Sequence, residues 1–402
     1  MEIRVIRVLE ESLKDQKDFE NFVTTLRDFV SEDVLPVLVV SAVANYDPSL
    51  YGFSGGSVDS PEAMAMDLSI REDRFCNLLA ALLSGYFLKS HPFAVRDGII
   101  RAKDRPGHIS IPFCCDDSWI QKMEEERSLP IIPGSCALLE NGNPGYIGDR
   151  GADLSSVIIS EVLGQDSCYL LSDRGALFSS NSSSARAIRL PRIAYGECLE
   201  MASAGMDVPC ARAIEKAENC HIKVCICRPG FHEEGTWIMS LPDKHSLRIR
   251  SVSVDKDTAK VAVLGVPDRP GIAATLFTGL AREGICVEMI LQSVMRGQIN
   301  DIAFLVDKKD IDKAITACRE LARQLGAQGV TFDTEIARVS VVGAGISSHA
   351  EIPSVVFTVL AEKGVNIEMI SASSIAITCV VSSPDAEAAV NALHEEFIEK
   401  AF

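Results

Sequence analysis

The chain has 402 residues, 47% of them apolar, enough for about two or three domains with sizeable cores, which excludes a disordered protein. Lys and Arg total 39 against 56 Asp and Glu, and the resulting formal charge of −17 repels polyphosphate and anionic lipid, excluding nucleic acid as an expected partner. The longest apolar stretch, LPVLVVSAVA at 35–44, is too short to span a bilayer and no basic-then-apolar leader opens the chain, so no membrane partner and a cytoplasmic location are expected.

Residues 3–8 alternate apolar and basic side chains in the manner of a strand. At the head of an α/β domain such a strand often ends in glycines whose backbone amides hold a phosphate, but this one runs into Leu9, Glu10 and Glu11. VLPVLVVSAV at 34–43 is a β-branched run of the kind buried in parallel sheets. The stretch 46–63 is rich in Gly, Ser, Pro and Asp and reads as a solvated excursion; its GFSGGS neither follows a strand directly nor opens a helix, which weakens an anion-loop reading. EDRFCNLLAALLSGYFLK (72–89) has helical apolar spacing, SLPIIPGSCALL (128–139) and DSCYLLS (166–172) read as strands, and DLSSVIISEVLG between them reads as a helix ending on Gly164. A central sheet covered by helices follows.

The 13 cysteines are odd in number and scattered, so reduced buried thiols are expected. Cys114-Cys115 and Cys225-x-Cys227 lack the spacing and second pair of a zinc site, and alternation in HIKVCICRP points Cys225 and Cys227 to one sheet face. No metal is expected.

Past residue 245 an internal repeat appears. VAVLGVPDRPGIAATLFTGLAREGICVEMI (261–290) matches VSVVGAGISSHAEIPSVVFTVLAEKGVNIEMI (339–370), with Gly265 answering Gly343, Gly284 answering Gly364 and two extra residues in the later copy's first loop. Each copy continues into a further strand and a closing helix, giving a βαββαβ unit twice.

The repeated pair, with D-x-P-G-I-A in one copy and S-H-x-x-I followed by G-V-N-I-x-M-I in the other, resembles the tandem ACT domains of aspartate kinases. VLVVSAVAN, GNPGYIGDRGADLSS (142–156) and ECLEMASAGMDVPCARAIEKA (197–217) are similar to motifs of that family's catalytic domain, so the resemblance covers nearly the whole chain. It implies an α/β protein in which an amino-acid-kinase-like αβα sandwich over 1–240 precedes two ferredoxin-like ACT domains, 246–330 and 331–402. The leading strand of the first ACT domain is free to pair with the second, and a homodimer through the ACT sheets is implied.

The family transfers the ATP γ-phosphoryl group to the β-carboxylate of aspartate, a reaction run by positioning and charge neutralisation. Its catalytic positions fall here on Arg7, Ser41, Glu72 and Asp153. Where the family opens K-F-G-G-T-S, this chain has Arg7-Val8-Leu9-Glu10-Glu11-Ser12. A planar guanidinium replaces a compact ammonium, and two side chains replace glycines that let the backbone approach phosphate. Like charges at about 4 Å repel by ~1 kcal/mol even in bulk water and by more in a cleft. Asp149 falls on the arginine that grips the substrate carboxylate, with Arg150 one residue on. T-D-x-D-G-V-Y becomes Leu171-Ser172-Asp173-Arg174-Gly175-Ala176-Leu177, SSNSSSA after it resembles a flexible polar loop, Asp207 stands at a lysine position, and Arg71 precedes Glu72 in place of glycine. The retained residues build the fold and the lost ones meet ATP, so no cofactor is expected, and ATP-Mg only if the site works.

The resemblance places a small polar amino acid, threonine first, on Asp268, Gly271, Ile272, Ala273 and Gln292, with Asn366 and Ile367 from a partner subunit's other module. The free amides of the helix start suit its carboxylate. In the later module Glu351 replaces a glycine and disfavours a second, lysine-type site, while His349 reads as a structural loop residue. Three readings follow: an impaired aspartate-kinase-like regulator, acting alone or in a hetero-oligomer with an active paralogue; a related enzyme with another substrate; and a working aspartate kinase with shifted loops.

Overall fold

The computed structural model describes all residues except 1, 14, 43–60, 104–110, 115–116, 184, 231–234, 242–247, 294–298 and 401–402. Residues 46–60 of the Gly- and Ser-rich excursion, with GFSGGS, and Cys115 of the first cysteine pair lie outside the described residues. The chain forms two units: 1–178 with 189–202 and 207–242, and 243–402 with 179–188 and 203–206.

The first unit opens with β1 (Glu2–Leu9), α1 (Gln16–Ser31), β2 (Val34–Ser41) and α2 (Pro61–Gly85). Next come β3 (Ser90–Pro92), β4 (Ile100–Lys103), β5 (Ile111–Cys114), α3 (Ser118–Glu126), β6 (Leu129–Pro133), β7 (Cys136–Leu139) and β8 (Pro144–Tyr146). It closes with α4 (Gly151–Val162), β9 (Ser167–Leu171), β10 (Arg192–Ala194), α5 (Tyr195–Ser203), α6 (Ala211–Cys220), β11 (Lys223–Cys227) and β12 (Thr236–Met239). Among the described residues eight strands make one sheet in the order β10-β12-β11-β9-β1-β2-β6-β3, and β5-β4-β7-β8 make a smaller one. The pairs β1 with β2, β1 with β9, β9 with β11 and β2 with β6 are parallel, so the carboxyl ends of the central strands open on one edge.

β2 is buried along nearly its whole length because helices cover both faces of the sheet. Phe22, Leu26 and Phe29 of α1 and Leu79 and Leu83 of α2 pack with Leu38, Val40, Cys225 and Cys227 in one core, so both thiols of the Cys-x-Cys pair do lie on one face. α4 packs against β1, β2 and β9. Gly134, after β6, permits this: a Cβ there would stand 2.6 Å from Val39 Cγ1 and 2.8 Å from Ala152 Cβ.

The second unit contains β13 (Arg248–Asp255), β14 (Thr258–Pro267), α7 (Ile272–Arg282), β15 (Glu288–Gln292), β16 (Ile299–Asp307), α8 (Ile311–Leu325) and β17 (Gly329–Asp333). β18 (Ile336–Ala344), α9 (Glu351–Glu362), β19 (Ile367–Ala372), β20 (Ala376–Ser382) and α10 (Ala386–His394) complete it. Its two sheets run β15-β16-β14-β17 and β13-β18-β20-β19. The first repeat is a full βαββαβ, whereas the second borrows β13, from ahead of the first, as its fourth strand. Leu305, Ile336, Met369 and Val380 form a small core shared by the two repeats, and Arg338 pairs with both Asp255 and Glu288.

The first four residues of SSNSSSA do not form the flexible polar loop expected from the composition of that segment. Ser179, Ser180 and Ser182 are buried. Ser179 Oγ bonds His394 Nε2 at 2.8 Å, and His394 Nδ1 meets Glu399 at 3.1 Å. Asn181 brackets Val254, accepting its amide at 3.0 Å and donating to its carbonyl at 2.8 Å, and Ser182 donates to Glu387 at 2.6 Å. A serine-rich string reads as solvated, yet hydroxyls tolerate burial wherever each finds a partner.

Candidate functional site

The first constellation lies at the carboxyl ends of the parallel strands. Arg7 and Asp153, from β1 and the first turn of α4, are both buried, with Nε 3.1 Å from Oδ1. Burial holds the Arg7 guanidinium below its ordinary range, and Asp153 opposes that effect. The other carboxylate oxygen of Asp153 accepts the Cys210 amide at 3.1 Å. Ser41, at the end of β2, lies 2.9 Å from Ser135 through their hydroxyls. Glu72 on α2 accepts the amides of Ser135 at 2.8 Å and Cys136 at 3.1 Å. Its burial lifts the carboxyl to about 7 against the pull of those hydrogen bonds. Arg7 with Asp153, and Ser41 with Glu72 through Ser135, are thus brought together in two linked pairs.

Beside them, the end of β1 passes into a tight turn, Glu10–Leu13, with Glu10 and Glu11 in its first turn and Ser12 donating back to the Leu9 carbonyl at 2.7 Å. No glycine exposes bare backbone there. Asp149 accepts the Tyr146 hydroxyl, and burial together with that carboxylate raises the Tyr146 phenol. Arg150 caps α4 in a left-handed conformation, φ 56°, and donates to the Asp207 carboxylate and the Val208 carbonyl. The cation one residue past Asp149 is therefore committed to the acid at the lysine position. At the end of β9, Gly175 turns with φ +73°, and a Cβ there would stand 2.4 Å from Arg228 Cγ. Arg174 donates its amide to Asp173 at 2.8 Å.

The second constellation is a hollow of about 390 Å³ in the first repeat, between the loop after β14, the start of α7 and the ends of β15 and β16. Five expected effector residues, Asp268, Gly271, Ile272, Ala273 and Gln292, line it. Gly271 caps α7 in a left-handed conformation, φ 94°. Asn366 and Ile367 do not line it; they stand at the start of β19 in the second repeat. In that repeat the matching loop closes on itself through His349 Nδ1 and the Gly345 carbonyl, 2.8 Å apart, as a structural role requires, and Glu351 opens α9. Sequence reasoning missed Ser135, whose backbone and hydroxyl join Glu72 to Ser41, and Asn300, which lines the hollow. Among the described residues no group of three or more His, Cys, Asp or Glu could hold a metal ion, and no helix is long and apolar enough to cross a membrane.

Comparison with known proteins bears on the family of the chain. Residues 6–228 match the amino acid kinase family, and residues 261–321 and 339–397 each match the ACT domain. An aspartokinase of Helicobacter pylori is 30% identical over 366 residues, 89% of this chain and 90% of that one. An aspartate kinase of Pseudomonas putida is 32% identical over 286 residues, 70% of this chain and 69% of its own. The crystal structure of E. coli aspartokinase III in complex with aspartate and ADP shares the fold, with a TM-score of 0.77, 20% identity, and coverage of 98% of this chain and 99% of that one. With an amino-acid-kinase domain followed by two ACT domains and relatives matched over most of their length, the chain belongs to the aspartokinase family.

Proposed function

We propose that this aspartokinase-family chain is impaired or inactive in ATP-dependent phosphorylation of aspartate and acts as an amino-acid sensor, with threonine as its first candidate effector. The observation that carries the catalytic half is the acidic turn Glu10–Leu13 at the end of β1. Phosphate chemistry needs cations and bare amides at that strand end, and here there are two carboxylates and a closed turn. The pairing of Arg150 with Asp207 adds to it by engaging a nearby cation. Aspartate and ADP, the ligands of the E. coli structure, are both anions whose entry this arrangement opposes. The sensing half rests on the hollow before α7, with helix amides for a carboxylate and Asp268 for an ammonium group. A homodimer through the ACT sheets would add Asn366 and Ile367 of a second copy. Pairing with an active paralogue in the cytoplasm would then transmit the effector signal.

The test is thermal denaturation with threonine or ATP-Mg, together with hydroxylamine trapping of aspartyl phosphate. Threonine is expected to raise the melting temperature, ATP-Mg to leave it unchanged, and trapping to give no product. A nucleotide shift with trapped product overturns the catalytic half. A second reading, an ATP-using enzyme of this superfamily with another substrate, is favoured by one observation: the Arg7–Asp153 pair keeps a buried cation and carboxylate together at the carboxyl ends of the parallel strands. ADP release with any member of an amino-acid panel would support it.

A further inference from the structure

Asn300 of β16 is 6% exposed and lines the hollow before α7. Its strand neighbours on the same face, Ile302 and Phe304, are buried in the apolar core of the first repeat, so alternation along β16 calls for a hydrophobic residue at 300. The structure puts a carboxamide there instead. Its Nδ2 points to Asp268 Oδ1 at 3.4 Å, and because a carboxylate only accepts, that contact fixes which end of the amide is nitrogen. Its Oδ1 is buried and has no hydrogen-bond partner among the described residues. A buried acceptor left unpaired is costly, and it asks for a donor that the described residues do not supply.

The other features of the hollow say what kind of donor. The α-carboxylate of an amino acid suits the free amides at the start of α7, and its ammonium suits the exposed carboxylate of Asp268. What then reaches the base is the side chain, and it meets two things side by side on β16: the Asn300 oxygen and the apolar surface of Ile302. A hydroxyl beside a methyl group satisfies both. A lysine ammonium would set a full charge against one neutral acceptor and a hydrocarbon wall, which is unfavourable.

We propose that Asn300 is the specificity residue of this site, its carboxamide oxygen accepting the side-chain hydroxyl of a small hydroxy-amino acid beside Ile302. The proposal rests on the reading of the hollow as an amino-acid site, and it adds the group that selects among amino acids. Asn300 belongs to the binding site and takes no part in phosphoryl transfer.

Isothermal titration of the full chain with threonine, valine and lysine tests it, valine having the shape of threonine with a methyl in place of the hydroxyl. In the unsubstituted protein threonine is expected to bind about tenfold or more tightly than valine, because the analogue leaves a polar group unpaired. In Asn300→Ala the threonine-to-valine ratio falls to about one, and in Asn300→Ser, which keeps an acceptor on a shorter arm, part of the preference survives. The unsubstituted ratio decides the matter even if Asn300→Ala does not fold. Equal binding of threonine and valine by the unsubstituted chain, an undiminished ratio in Asn300→Ala, or lysine binding more tightly than threonine each overturns the role of Asn300 while leaving an amino-acid site in place. Binding of none of the three overturns both this proposal and the effector reading beneath it.

Discussion

Replacing Glu72 with Gln tests the physics of the first constellation through pH. Glu72 is fully buried, and burial raises its carboxyl from 4.5 to about 7, the hydrogen bonds from Ser135, Cys136 and Gly134 opposing but not cancelling the effect. The folded chain therefore holds this proton more tightly than the unfolded chain does. Stability contributed by the protonated form is fully present below the unfolded value near 4.5 and is lost as pH rises toward 7. A shift of about 2.5 units at about 1.36 kcal/mol each makes this loss about 3 kcal/mol. Gln cannot ionise, but its carboxamide oxygen can still accept the Ser135 and Cys136 amides. The stability of Glu72→Gln relative to the parent should thus improve by about 2.5 kcal/mol between pH 5 and pH 8, part of the loss being already complete at pH 5, whatever fixed offset the new amide group introduces. For a unit of this size that is roughly 5–10 °C in the difference between the two melting temperatures. Differential scanning calorimetry at closely spaced pH values reads it directly, and groups common to both proteins cancel. A difference that stays flat from pH 5 to pH 8 would refute the assignment of a buried, proton-holding carboxyl at this position.

Asp207→Asn removes the partner of Arg150 in a pair whose side chains are 44% and 50% exposed, so urea unfolding should show a loss of no more than about 1 kcal/mol. Nucleotide affinity should not return, because Glu10 and Glu11 remain. His394→Ala strips the fully buried ring that joins Ser179 to Glu399 and leaves their polar atoms without it; a loss of about 2–4 kcal/mol in denaturant unfolding is expected, and a loss below about 0.5 kcal/mol would deny the relay any structural weight. Gly134→Ala forces a methyl to within 3 Å of Val39 and Ala152, and overpacking of that kind should lower stability by about 1–3 kcal/mol on thermal melting.

The parts of the fold legible in the sequence were those carried by local periodicity. The β-branched run of β2, the apolar spacing of α2 and the twofold repeat past residue 260 all signal themselves within a short window, and Gly284 and Gly364 mark the same turn in the two copies. Long-range choices left no such mark. That β13 completes the sheet of the second repeat was open to expectation only through the family resemblance; no local feature near residue 248 marks it, because the partner strand lies far along the chain, Arg248 facing Ala344. The pairing of Arg150 with Asp207 closes a loop of 57 residues and is equally silent locally. SSNSSSA misled because hydroxyl-rich strings are usually solvated, whereas here His394, Glu387 and Val254 supply the partners. Asn300 did leave a signal: in NDIAF the polar residue at 300 interrupts the buried face that continues through 302 and 304. Of the site, Arg7, Ser41, Glu72 and Asp153 do gather near one strand edge, while the hydrogen bond from Tyr146 to Asp149 is a contact that only the folded loop makes.

Titration of the full chain with ATP-Mg at millimolar concentration, followed by calorimetry and by the melting temperature, addresses the loss of the phosphate site most directly. The acidic turn after β1 predicts no heat of binding and no rise in melting temperature, while threonine under the same conditions raises it by mass action. A saturable heat with ATP-Mg, accompanied by a raised melting temperature, would contradict the account.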